Sequence, residues 1–264
     1  MSKILHFLML RRSWSIPYAI FLLLFVVLPL VLIVVYAFRD NQGHFTLQNF
    51  VQFVQQKEAL NTFIYSVGIA IVTTLLCILF GYPAAYILSN SDYNKSKVTV
   101  LLFILPMWIN FLIRTLATVT LFDITGLPLG QGALMFGLTY DFLPFMIYPI
   151  YNTMMKIDKN LIEAAQDLGA SRSKVFTKVV LPLSLPGVLS GILMVFLPTI
   201  STFAISELLT MNNIQLFGSV IQTYIMQSDT MNYGAALSLI MLLIIGITSM
   251  FSGDDAENES ASLI

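Results

Sequence analysis

Six long apolar runs, separated by shorter polar stretches, set the pattern of this chain: residues 16–38, 63–88, 98–117, 133–155, 185–208 and 233–251. A helix needs about 20 apolar residues to cross the hydrocarbon core of a bilayer, so each run is predicted to span. The first is too long for the apolar core of a signal peptide, about 7–15 residues, and reads as an anchor that stays. Arg11 and Arg12 ahead of it read as the basic flank of a membrane helix rather than as a twin-arginine export signal.

The polar stretches carry structure of their own. In 39–60, Leu47, Phe50, Val51 and Val54 recur at helical spacing and predict a short helix lying in the interface. In 210–232, Phe217, Ile221 and Tyr224 share one possible helical face. Residues 156–182 predict two short helices joined by a turn. Asn160 and Glu163 are spaced for a capping box at the start of the first. Leu161, Ala164, Ala165 and Leu168 fall on one face, and Gly169 stands where a left-handed residue would end that helix. Ser171 is positioned to cap a second helix over 172–180, which Pro182 would close.

Composition agrees with the pattern. Apolar residues make up 57% of the 264 and charged ones 10%, against about 45–50% and 25% in soluble domains. The chain therefore divides into an anchor helix and connector (1–61), a five-helix core (62–251) holding the polar segment 156–182, and an acidic tail (252–264) expected to be disordered. Cys77 is the only cysteine, which excludes an internal disulfide, and His6 and His44 lack a ligand-like spacing, so neither metal nor cofactor is expected. None of the 14 glycines is followed by lysine, so a phosphate loop ending in Gly-Lys is absent and energy must come from a partner or a gradient. No nucleophile, metal or acid/base grouping marks the spans as an enzyme, and nothing points to nucleic acid.

Charge gives the chain a direction. Six spans put both termini on one side, together with Lys3, Arg11, Arg12, Lys95, Lys97, Lys156, Lys159, Arg172, Lys174 and Lys178, while Arg39 and Lys57 lie opposite. That bias puts the termini and the 156–182 segment in the cytoplasm.

Inside the spans, Pro29, Pro83, Pro106, Pro144, Pro149 and Pro198 interrupt backbone ladders that lipid cannot repair, which favours helices packed around a pathway. Gly187 and Gly191 form a close-packing pair whose partner the sequence does not identify. Arg114 and Asp141 are ionisable groups at membrane depth, expected either to pair or to line the route. Glu207 lies near the outer end of the fifth span, and the outer stretches of the second half add Asp123 and Asp229 without a basic residue, a field that favours cations.

Glu163-Ala164-Ala165, Gly169, Val179 and Leu181-Pro182 together resemble the EAA signature of permease subunits in bacterial ABC importers, with Val179 where isoleucine is usual. The resemblance implies an all-α, six-helix membrane permease of the type I (MetI-like) fold. In that family this segment is a coupling helix that docks into a cytoplasmic ATPase dimer, which assigns coupling roles to Glu163, Ala164, Ala165, Asp167, Gly169, Leu181 and Pro182. The stretches 105–114, 143–146, 158–159 and 206–208 further resemble the B-type permeases of spermidine/putrescine importers. That likeness implies a polyamine solute, a second homologous permease and an extracytoplasmic polyamine-binding protein. Glu207, Asp141, Arg114, Trp108 and Asn110 are the candidates for the pathway. A short 118–132 loop, the charged residue at Asp141 and the acidic tail depart from the family pattern. A permease for another cationic or organic solute is the alternative, and a self-contained ion-coupled transporter would call for an internal repeat that the sequence lacks.

Overall fold

The computed structural model describes residues 15–90, 94 and 97–261; Lys3, Arg11, Arg12 and Lys95, all counted in the charge bias, lie outside them. The described chain is all-α. Its helices are α1 (Ile16–Ala37), α2 (Gln48–Gln55), α3 (Lys57–Ser89), α4 (Val98–Trp108), α5 (Phe111–Thr125), α6 (Gln131–Met155), α7 (Lys159–Asp167), α8 (Arg172–Ser201), α9 (Ala204–Thr210), α10 (Phe217–Met226) and α11 (Met231–Ala261). Five helices are long and apolar enough to cross a membrane, and α4 with α5 makes a sixth span if that bent pair is counted as one.

Three expected spans differ in form. The third is broken: Pro106 lies in a 3₁₀ turn, Ile109 is extended, and α4 and α5 meet at 98°. A proline lacks the N–H that would continue the ladder, and the chain restarts one residue past Ile109 with Asn110 as the new cap. The fifth begins early, because Pro182 does not end a helix. A π turn at Phe176–Val180 widens the backbone just ahead of it, and α8 runs unbroken from Arg172 to Ser201. The same device precedes Pro29 in α1, where the π turn is Leu23–Val27. At the C-terminus α11 continues to Ala261, so residues 252–261, expected to be disordered, are helical. Ala256, Glu257 and Glu259 are all good helix formers.

The structure divides into two compact units. One comprises the described residues up to Lys57 together with Ile221–Leu242. In it, Ala37, Ala235 and Ala236 form a small core flanked by Phe38 and Phe50, and Asn49 Nδ2 donates to the Ala37 and Arg39 carbonyls. The buried side of α2 is thus Asn49 and Phe53; Leu47, Val51 and Val54 are exposed.

The second unit, the described residues of Glu58–Val220 with those after Leu242, holds the main core. Its axis is α6, which packs on α8, α9, α5 and α4. Small residues set the spacing. A Cβ on Gly187 would lie 2.8 Å from the Pro149 carbonyl, and one on Gly191 would lie 2.6 Å from Met146 Sδ. The glycine pair therefore packs on α6, the partner that sequence alone left open. Gly81 of α3 approaches Met146 from another helix, where a Cβ would lie 3.0 Å from Cγ. Between helices without a hydrophobic drive to associate, such close approach supplies the packing.

Candidate functional site

The 156–182 segment is built from its ends inward. Asp158, not Asn160, caps α7: its Oδ1 accepts from the Asn160 N–H at 2.9 Å. A carboxylate there also complements the positive end of the helix, and the expected Asn160–Glu163 box does not form. At the other end Gly169 has φ +79°, as expected. Its N–H donates to the Gln166 carbonyl (2.8 Å) and Ala170 N–H to that of Ala165 (3.0 Å), the double bond pattern of a Schellman stop. Ser171 stands at the start of α8 but gives no side-chain cap; its carbonyl accepts from Val175 N–H.

The faces of α7 divide differently from the expected ridge. Ile162 and Ala165 turn towards the core, with Ala170 just beyond the helix. Leu161, Ala164 and Leu168, at i, i+3 and i+7, turn away, and Leu168 is 90% exposed. Glu163, Asp167, Leu181 and Pro182 are also exposed. Beneath α7 lies a cavity of about 570 Å³ lined by Tyr86, Asn90, Met154, Glu163, Gln166 and Arg172, among others. No sequence signal pointed to it, because its wall is assembled from four separate segments. Tyr86 and Tyr82 meet the Phe176 ring edge-on at 5.2 and 6.0 Å, and the Tyr82 hydroxyl is 2.8 Å from Ser184 Oγ. The end of α3 thereby grips the π turn of α8.

Of the pathway candidates, the structure brings Arg114 and Asp141 together. Arg114 Nε lies 3.5 Å from Asp141 Oδ1, Nη1 donates to the Asp141 carbonyl at 3.1 Å, and Thr115 Oγ1 shares its proton between Oδ2 at 3.0 Å and the Phe111 carbonyl at 2.8 Å. Both charged residues are buried, so they do not line an open route in this conformation. Arg114 also stands 6.0 Å above the Tyr140 ring. Asn110 is engaged as the cap of α5, accepting from Leu112 N–H at 2.8 Å. Trp108, at the elbow, is 87% exposed. Glu207 sits half-exposed on α9, a helix that packs against both α5 and α6. Among the described residues its carboxylate has no hydrogen-bond or ion-pair partner. No group of three or more metal-ligating side chains occurs among the described residues.

Residues 96–256 match the family model described as binding-protein-dependent transport system inner membrane component. The chain belongs to this family. As a permease subunit it is the membrane component of an ABC importer and not the part that hydrolyses ATP. It is 32% identical over 249 residues to the spermidine/putrescine transport system permease protein PotB of Escherichia coli (strain K12), covering 86% of this chain and 90% of that protein. The PotB of Haemophilus influenzae (strain ATCC 51907 / DSM 11121 / KW20 / Rd) is 30% identical over 86% of this chain and 87% of its own length. Among solved structures, a bacterial ABC transporter involved in alginate import superposes with TM-score 0.68, at 19% identity over 95% of this chain and 97% of that one. The MetNI methionine transporter gives TM-score 0.60, at 17% identity over 75% of this chain and 94% of that one. These two likenesses establish the permease fold and carry no information on solute.

Proposed function

We propose that this permease imports polyamines of the spermidine/putrescine class, forming the translocation pathway with a second homologous permease. A cytoplasmic ATPase dimer drives it through α7, and an extracytoplasmic polyamine-binding protein delivers the solute. The observation that carries the solute reading is Glu207, a half-exposed carboxylate with no cationic partner among the described residues. An ammonium group of the solute is the natural counter-ion for such a carboxylate. The names of the 30–32% identical relatives support the same solute class. The ATPase reading is supported by the apolar stripe Leu161, Ala164 and Leu168, which the permease itself leaves uncovered. Transport then follows alternating access, with nucleotide-driven motion of α7 biasing the helices between inward-facing and outward-facing states.

The test is uptake of labelled spermidine and putrescine by cells that lack polyamine import and carry the whole transporter set. Uptake is expected to require this subunit. Glu207→Gln is expected to reduce it about tenfold, the loss of one charge-assisted contact of about 1.5 kcal/mol, while the complex still assembles. A complex that assembles and hydrolyses ATP but moves neither solute would leave the permease assignment intact and remove the polyamine one.

A further inference from the structure

The half-span α5 is held by an unusual face. Its buried residues are Arg114, Thr115, Thr118 and Phe122, so three of the four are polar. The opposite side, with Ile113, Leu116 and Leu121, is exposed and apolar. In lipid an apolar helix gains nothing from leaving the acyl chains for another apolar helix, and register comes from tight packing and polar contacts. For α5 the polar contacts converge on one residue of α6. Asp141 receives the Arg114 Nη1 bond on its carbonyl, the Thr115 hydroxyl on Oδ2 and the Arg114 Nε charge beside Oδ1. Arg114 Nε and Asp141 Oδ1 are buried, face each other at 3.5 Å and make no hydrogen bond. A charge of either sign left alone at that depth is costly, so separating α5 from α6 would strand two at once.

We propose that Arg114, Thr115 and Asp141 are positioning residues forming a clamp that makes α5 travel as one body with α6 throughout the transport cycle. The 98° elbow at Ile109 and Asn110 then becomes the place where the broken span flexes, because α4 packs on α6 without the Arg114, Thr115 and Asp141 contacts that hold α5. Neither charged residue contacts the solute in this scheme, which rests on the permease assignment and not on the identity of the solute.

Spin labels on Leu121→Cys and Tyr148→Cys, both exposed positions, report the α5–α6 separation in a Cys77→Ser background. The assembled transporter is measured nucleotide-free and after trapping with ATP and vanadate. A single distance, the same in both states, is expected, while labels at Leu101→Cys and Tyr148→Cys change their separation. Asp141→Asn, which keeps the volume but removes the charge, is expected to add a second, longer α5–α6 distance. If that variant fails to assemble, the double substitution Arg114→Leu with Asp141→Leu, which strands no charge, is expected to show the same second distance. A change of the α5–α6 distance between the two states without the substitution overturns the clamp. So does a single unchanged distance in the substituted complexes. Loss of polyamine uptake bears on neither result.

Discussion

At Gly169 the backbone sits in the left-handed region, and a Cβ there would meet nothing within 4 Å. Strain, not collision, is therefore the cost of a side chain, about 1–2 kcal/mol for a non-glycine residue in that conformation. Gly169→Ala carries the strain alone. Gly169→Asp adds a negative charge on the α7 surface proposed to meet the ATPase. Alanine is expected to weaken co-purification of the ATPase modestly and aspartate to abolish uptake, with both variants reaching the membrane in normal amounts. Equal behaviour of the two would make the effect purely conformational, and normal uptake with aspartate would remove the coupling role. The carboxylates illustrate a second residue-scale contrast. Asp141 is fully enclosed and tied by Arg114 and Thr115, whereas Glu207 is half-buried and has no partner among the described residues, so one is suited to holding helices and the other to meeting a cation.

Between helices α6 and α8 the glycines set how close the axes come. A Cβ on Gly187 would lie 2.6 Å from Thr153 Oγ1 and 2.8 Å from the Pro149 carbonyl, and the second of these is backbone that cannot rotate away. Gly187→Ala is expected to destabilise the purified complex by about 1–3 kcal/mol, the usual cost of overpacking, seen as a lower midpoint of thermal unfolding. Gly68→Ala in α3, where nothing lies within 4 Å, is the control and is expected to be neutral or slightly stabilising. The element scale is also where the sequence was most and least informative. Apolar length was enough to find five spans, though not the break in the third, and Gly169 marked the end of α7, because each is a local property. The partner of Gly187, the inward turn of Ala165 and the cavity under α7 depend on which helices meet, and periodicity within one helix does not encode that. Pro182 misled for a related reason: a π turn upstream let the helix pass it, and no residue type announces a π turn. Arg114 and Asp141 were recognisable as a possible pair because charges at membrane depth demand partners, but Thr115 as the third member was not.

Across the whole molecule, α8 and α11 are the two spans between the 156–182 segment and the C-terminal end of α11, so both ends of that stretch lie on the same side of the membrane whether or not α4 and α5 together cross. From the bias of lysines and arginines we propose that this side is the cytoplasm, where an ATPase would be available. The buried Cys77 makes this orientation directly measurable, since a thiol enclosed in α3 is closed to a bulky, membrane-impermeant maleimide. Single cysteines are then read against a silent background. Leu168→Cys, on the exposed tip of α7, is expected to react only in inverted vesicles or permeabilised cells. Gln42→Cys, in the exposed turn after α1, is expected to react in intact cells. Reaction of Leu168→Cys from outside would reverse the permease in the membrane and put α7 beyond reach of any cytoplasmic ATPase. Reaction of both positions only from the side proposed as cytoplasmic would break the odd number of crossings between them, and with it the count of α4 and α5 as one span. The first outcome would overturn the coupling role of the Glu163 to Gly169 turn. The second would leave that role standing and recast the broken pair as a re-entrant hairpin, entering and leaving the bilayer on the same face.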